Sequence, residues 1–385
     1  MKKLLLLLAA IGLVFTACES TDEPINNGDE SIGGGVQLPK VCEILYTTTD
    51  GQKLNFDEDS ELFKSMVSSH TMRNDSVFVL TFVENITAIG GYPISFSKCN
   101  TLKTIIIPEG VTNIPMTTFY ECVNLESVVI PHSVTFIGEN AFWGCEKLDG
   151  VILPKGLTQI DVGVFCKCNS LSSIEIHNGI TSIGRNAFRY SKLTNVTIPN
   201  SVTSIGDAAF DSCTALKNIT IPESVTSIGK WVFMNCSSLT SITLPQNLTT
   251  ISYNMFFNSG LESIIIPNGV TKIEQFAFYG CSTLTSIVIP DKVTLIDEFA
   301  FCECSSLTSI VIPASVSYVG FGVFEDCSCL ESVYCLAVNP PVFDDVNYRS
   351  FNNNASGRKI YVPRESVEAY KSADGWCDYA DDIEG

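Results

Sequence analysis

Between residues 83 and 335 the apolar positions recur with one long period, not with the short period of a lone helix or strand. The clearest stretch is IPESVTSIGKWVFMNCSSLTSITL, residues 221–244. Counted from the proline, units begin at Pro108, Pro131, Pro154, His177, Pro199, Pro222, Pro245, Pro267, Pro290 and Pro313, with a degenerate one at Val83, which makes 11. Most are 23 residues long; those at His177 and Pro245 are 22, and the first carries two extra residues. A phenylalanine and a leucine keep their places in every unit, from Phe96 and Leu102 to Phe324 and Leu330. After the leucine, L-x-x-[IV]-x-[IL] alternates β-branched with exposed residues and predicts a short strand, which the proline ends because it has no amide hydrogen for a ladder. SVTSIG predicts a second extended piece closed by a turn, and AFxxC leaves room for no more than a helical turn. One such coil cannot enclose a core. Stacked at about 4.8 Å, 11 coils give a solenoid roughly 50 Å long with continuous interior columns.

Cysteines fall three residues after the phenylalanine at Cys99, Cys122, Cys145, Cys168, Cys213, Cys236, Cys281, Cys304 and Cys327. The two units without one carry Ser191 and Ser259 and are also the two short units. Packing couples length to identity in this way, whereas metal or redox chemistry does not, and free cysteine behaves as a small buried hydrophobe. A zinc ion needs ligands converging tetrahedrally, which an axial column does not offer, and His70, His132 and His177 are far apart in the repeat. Parallel Cβ vectors would strain a disulfide between coils, so free thiols are expected and no metal site. Cys42, Cys166, Cys302, Cys329, Cys335 and Cys377 lie off the column and could pair; their pairing is left open.

The co-occurrence of Leu, Ile, Pro, Gly, Phe and Cys in LxxIxLPxxLxxIGxxAFxxC is similar to the BspA-type leucine-rich repeats of surface proteins in Bacteroides and treponemes. The resemblance covers about two thirds of the chain. It implies a leucine-rich repeat solenoid, mostly β with short helical turns, shaped as a right-handed curved rod of about 11 coils with N- and C-terminal caps. It also implies adhesion to host or bacterial surface proteins.

The ends read differently from the repeats. Residues 41–82 include CEILYTTTDGQKLNF, whose alternation around Asp50-Gly51 predicts a capping hairpin that acts with VFVLTF, residues 77–82. Residues 336–385 predict a C-terminal cap with a last strand and a helix over residues 364–371. Both caps cover strand edges that would otherwise aggregate. Residues 1–17, with Lys2, Lys3 and an apolar run over 4–15, predict a secretory signal peptide. FTAC resembles a bacterial lipobox, which implies lipid attachment at Cys18 and anchoring to a membrane without a spanning segment. Residues 18–40 form an acidic, glycine-rich tether; its acidic start resembles the signals that place some Bacteroides-type lipoproteins on the outer membrane surface.

A formal net charge of −19 disfavours a nucleic-acid partner. DEDSE, Asp57 to Glu61, lacks the glycine and distal glutamate of a calcium loop. No nucleophile elbow, Walker loop, zinc helix or dinucleotide turn occurs, so no catalytic residue and no cofactor are assigned. A polysaccharide-lyase-like β-helix would stack charged residues at one outward strand position. That position reads Ile106, Val129, Ile152, Glu175, Thr197, Thr220, Thr243, Ile265, Val288, Val311 and Tyr334, with one charge. Glu175 through Tyr334 in this row are the candidate binding surface. A protein partner is expected, with a glycan-binding lipoprotein of a polysaccharide-uptake system or a purely structural envelope protein as the alternatives; Tyr120, Trp143, Phe257 and Tyr279 stand scattered on the turn side. The expected molecule is a monomeric, non-enzymatic, lipid-anchored surface protein.

Overall fold

The computed structural model describes residues 42–74, 76–344 and 350–385. The signal segment, Cys18 and the tether lie outside the described residues. The described chain is a β-solenoid of about 12 turns with few helices. Each coil contributes its phenylalanine and leucine to the axis, and every one, from Phe96 and Leu102 to Phe324 and Leu330, is fully buried. From Phe119 onward neighbouring rings stack nearly parallel, with centroids 5.1–5.8 Å apart. Strands after the leucines pair in parallel in the predicted register, as in Val196↔Ile219↔Ile242 facing inward and Thr197↔Thr220↔Thr243 facing outward, and after Leu261 and Leu284 the pairing thins to the single bridge Ile265↔Val288. SVTSIG forms a second parallel ladder through Ser182, Ser204 and Ser227. Its threonines add bonds between coils: the Thr203 hydroxyl donates to the Thr181 carbonyl and Thr226 to Thr203.

The segment around each phenylalanine differs from the predicted helical turn. From the coil of Phe119 to that of Phe324, two residues, two positions before and two after the phenylalanine, take left-handed backbone; around Phe188 these are Asn186 at φ 57° and Tyr190 at φ 63°. This bends the chain sharply while its amides still point along the axis. Asn186, Phe188 and Tyr190 donate to the Asp207, Ala209 and Asp211 carbonyls of the next coil at 2.9 Å each. A third ladder therefore replaces the expected turn of helix. Asn and Gly hold many of these positions because they tolerate positive φ.

The cysteine column has a definite job. Each thiol from Cys122 to Cys327 donates to the carbonyl of the phenylalanine one coil earlier; Cys236 reaches Phe210 at 3.2 Å. The phenylalanine carbonyl also accepts the amide of its own coil's cysteine, so both lone pairs are used. In the short coils Ser191 and Ser259 occupy the same column and stay buried, and their hydroxyls meet Cys213 and Cys281 at 3.2 and 3.3 Å. The small buried donor is thus kept as a hydroxyl; the deleted residue comes from the link to the leucine. All 15 described cysteines are free, including Cys42, Cys166, Cys302, Cys329, Cys335 and Cys377. Burial pushes the column thiols up, Cys213, Cys281 and Cys327 to about 12.

The N-terminal cap departs from the predicted hairpin. β1 (Glu43–Thr48) is followed by α1 (Glu61–Met66), β2 (Val67–Asn74) and β3 (Val77–Phe82), and the sheet runs β2-β3-β1 before joining β4 (Leu102–Ile106). The arm after Gly51 does not pair with β1, because Leu54 and Phe56 turn into the open end of the core, where Phe56 meets Phe96 edge-on at 5.6 Å. DEDSE wires this cap: the Ser60 hydroxyl caps α1 by accepting the Phe63 amide, Asp57 accepts from Tyr92, and Glu58 lies 2.6 Å from His70 Nδ1. His70 Nε2 also meets the Tyr46 hydroxyl. Because β1 extends the sheet, Ile106 packs with Leu45, Val77 and Val79 in a small second core and is only 3 % exposed, not outward and free as the repeat register predicts.

At the other end the solenoid makes one more turn than the 11 predicted. Val342–Phe343 pairs with Tyr318–Val319, and Phe351 stacks on Phe324 at 5.6 Å. Lys359–Tyr361 then pairs with Ser332–Tyr334, and α2 (Val367–Ser372) follows a short 3₁₀ turn over Arg364–Ser366. Trp376 and Tyr370 close the end by donating to the Pro341 and Ala337 carbonyls. No helix among the described residues is long and apolar enough to cross a membrane.

Candidate binding surfaces

The strand ladder places Glu175, Thr197, Thr220, Thr243, Ile265, Val288, Val311 and Tyr334 in one outward row, all exposed. Its middle is polar: Thr197, Thr220 and Thr243 line an open depression of about 480 Å³ with Asn195, Asn218 and Glu223. Its C-terminal part is apolar. Ile265 is 82 % exposed and Val288 77 %, and the two are bridged in parallel register. Val311 and Tyr334 continue the strip, and Tyr334 stacks on Tyr361 at 4.9 Å. At the other end of the row Ile152 is exposed, while Val129 is partly covered beside the second core. Glu175 is the one titratable side chain in this row before Tyr334. What the row offers is shape: a grooved polar centre beside a strip of aliphatic side chains one strand apart.

The turn-side aromatics are less scattered than their sequence positions suggest. Tyr120 and Trp143 stack at 4.7 Å, with Lys98 over the first ring and Lys167 over the second at 6.0 and 4.6 Å. Phe257 and Tyr279 stack at 4.8 Å. Repeat-wise alignment on the phenylalanine is the signal that pairs them, since each stands one residue after it.

The same register brings together three potential ligands that sequence reading leaves apart. The Cys302 thiol and the Glu303 and Asp326 carboxylates approach within 4.8 Å of one another. Burial, with Glu325 and Glu303 close by, raises the Cys302 thiol far above its ordinary range. Glu303 accepts from the Tyr279 hydroxyl and Asp326 from the Asn353 amide. Both carboxylates thus have donors from neighbouring coils.

Among curated proteins no sequence matches the chain. Solved structures with the same kind of repeat do. A leucine-rich cell surface protein from Faecalibacterium prausnitzii is 26 % identical, with a TM-score of 0.49 over 79 % of this chain and 97 % of that one. A leucine-rich repeat protein from Bacteroides ovatus is 24 % identical, with a TM-score of 0.39 over 80 % and 95 %. A leucine-rich repeat protein of T. pallidum is 25 % identical, with a TM-score of 0.33 over 63 % and 88 %. The BspA type leucine-rich repeat region matches in overlapping segments at residues 65–192, 158–282 and 249–373. With repeats of that pattern running from the N-terminal cap to the C-terminal one, the chain belongs to the BspA-type leucine-rich repeat family.

Proposed function

We propose that the outward strand row is a docking surface for another protein, and that the molecule is an adhesive surface lipoprotein held by a lipid on Cys18. The observation that carries this reading is the apolar strip at Ile265, Val288, Val311 and Tyr334, which no other described part of the chain covers. A strip of aliphatic side chains on neighbouring strands gains by leaving water only when a partner lies along it. The family supports a binding role, and the row lacks the paired charges that catalysis needs, so the reading is of a binding protein without enzymatic activity. It acts as a monomer outside the cytoplasm, at the outer membrane or cell surface.

The test is binding of the purified protein to matrix and bacterial surface proteins under varied salt and calcium, beside the Ile265→Asp, Val288→Asp pair. Retained fold with lost binding supports the strip; undiminished binding by the pair removes it. The threonine-lined depression favours a second reading, a glycan ligand within a polysaccharide-uptake system. A glycan array with Thr220→Trp, which fills the depression, separates the two. Metabolic labelling with a fatty acid, lost on Cys18→Ala, tests the anchor, and proteolysis of intact cells tests the location.

A further inference from the structure

We infer that the turn side of the last coils carries a second docking surface, distinct from the strand row, for an extended lysine- and arginine-rich segment of a partner protein. Five consecutive coils each put one partly exposed aromatic ring there: Trp231, Tyr253, Phe276, Phe299 and Phe321. The rings touch in sequence, with centroids 5.4, 6.1, 5.2 and 5.0 Å apart. They form a continuous ridge about 20 Å long, which six or so residues of extended chain would span.

Other coils close the same turn without an aromatic ring at this place. Trp231, Phe276 and Phe299 occupy the left-handed position before the core phenylalanine, at φ 58°, 58° and 54°, where other coils place Asn140, Gly163, Asn186 and Asn254. A bulky side chain there is strained, and its ring stays partly in water. Strain kept at neighbouring coils, with the rings left partly exposed, points to use of the rings themselves.

Charge selects the partner. Four of the five coils, over residues 251–260, 273–282, 296–305 and 319–328, hold Glu274, Asp297, Glu298, Glu303, Glu325 and Asp326 and no lysine or arginine. The carboxylate contacts there include neutral donors, Gln275 to Glu298, Tyr279 to Glu303 and Asn353 to Asp326, which leave the charge in place. The corresponding turn around Phe188 holds Arg185, Arg189 and Lys192 instead, so the segregation is local. Lys230, at the end of the ridge, already lies 5.8 Å from the Tyr253 ring centre. Cations over ring faces with carboxylates beside them are the contacts that lysine and arginine side chains make.

The experiment is fluorescence anisotropy with labelled oligoarginine and oligolysine of about eight residues, at physiological salt, on the full chain. Phe276→Asn with Phe299→Asn replaces the rings by the residue that other coils use, so the coil keeps its backbone; Glu303→Gln with Asp326→Asn removes charge. Glu365→Gln with Glu368→Gln removes as much charge at the distant C-terminal cap. Each ridge variant should bind roughly tenfold more weakly, which is the loss of one or two cation–ring or ion contacts, and the cap variant should bind like the parent. Equal affinity in all variants, an equal loss in the cap variant, or displacement of the peptide by a neutral glycan would overturn the assignment.

Discussion

Phe233 is the sharpest probe of the stack. It is fully buried, and its ring lies 5.8 Å from both Phe210 and Phe256, within 7° of parallel to each. Phe233→Ala removes a whole ring from a dry interior that cannot collapse without breaking three intercoil ladders, so the loss should be about 3–5 kcal/mol. Part of that belongs to the two ring contacts, about 0.5–1.5 kcal/mol each. The contact part is separable by a cycle. Once Phe233 is gone Phe256 has one ring neighbour fewer, so Phe233→Ala with Phe256→Ala should destabilise by about 0.5–1.5 kcal/mol less than the sum of the single changes. Phe233→Ala with Phe119→Ala, several coils apart, should be additive within about 0.5 kcal/mol. Urea unfolding followed by circular dichroism reads all of these from midpoints and slopes. A single change worth less than about 1 kcal/mol, or a neighbouring pair as additive as the distant one, would refute the column.

Two other results follow from the backbone and from the cap. Gly206→Ala should destabilise, because a Cβ there would lie 2.6 Å from the Arg185 amide nitrogen of the preceding coil; Ala208→Gly, at φ 53° two residues on, should be neutral or stabilising by up to about 1 kcal/mol, and thermal melts compare the pair directly. In the N-terminal cap, burial lowers the proton affinity of His70 by more than the bond to Glu58 restores. The unfolded chain therefore takes up the proton first, and cap stability is full above the ordinary histidine range and falls as pH drops through it toward the lower folded value. Hydrogen exchange over β2 and β3, corrected for intrinsic rates, should quicken below about pH 6.5, and His70→Gln should remove that step; slower exchange on acidification would reverse the sign and discard the explanation.

The repeat was legible because every coil solves the same packing problem with the same residues, so Phe, Leu and Cys repeat wherever a column must be filled. The outward strand row was legible for the same reason, apart from Ile106, whose partner surface on Leu45, Val77 and Val79 comes from a cap that does not share the period. The Asp50-Gly51 turn is present, with Gly51 at φ 67°, but its second arm is needed to cover the core end, and that demand outweighs local hairpin preference. The twelfth turn is hidden in the sequence because Phe351 stands 27 residues after Phe324, not 23. The doubled left-handed bends were written in the sequence as Asn and Gly two residues either side of the phenylalanine, as at Asn140 and Gly144. The aromatic ridge has no consensus residue behind it and emerges once the coils are laid over one another.

The stack is tested most directly by counting thiols in the folded protein. Of the 15 described cysteines, Cys329 and Cys377 are exposed, whereas the column from Cys122 to Cys327 is buried and donates to carbonyls. At pH 8, Cys329 and Cys377 should react rapidly with a soluble disulfide reagent and Cys42 and Cys99 more slowly. The column should stay silent until denaturant releases it, and no reductant should be needed. Rapid reaction of Cys213 or Cys236 in the folded protein, or a denatured count that rises only after reduction, would contradict a dry, in-register interior.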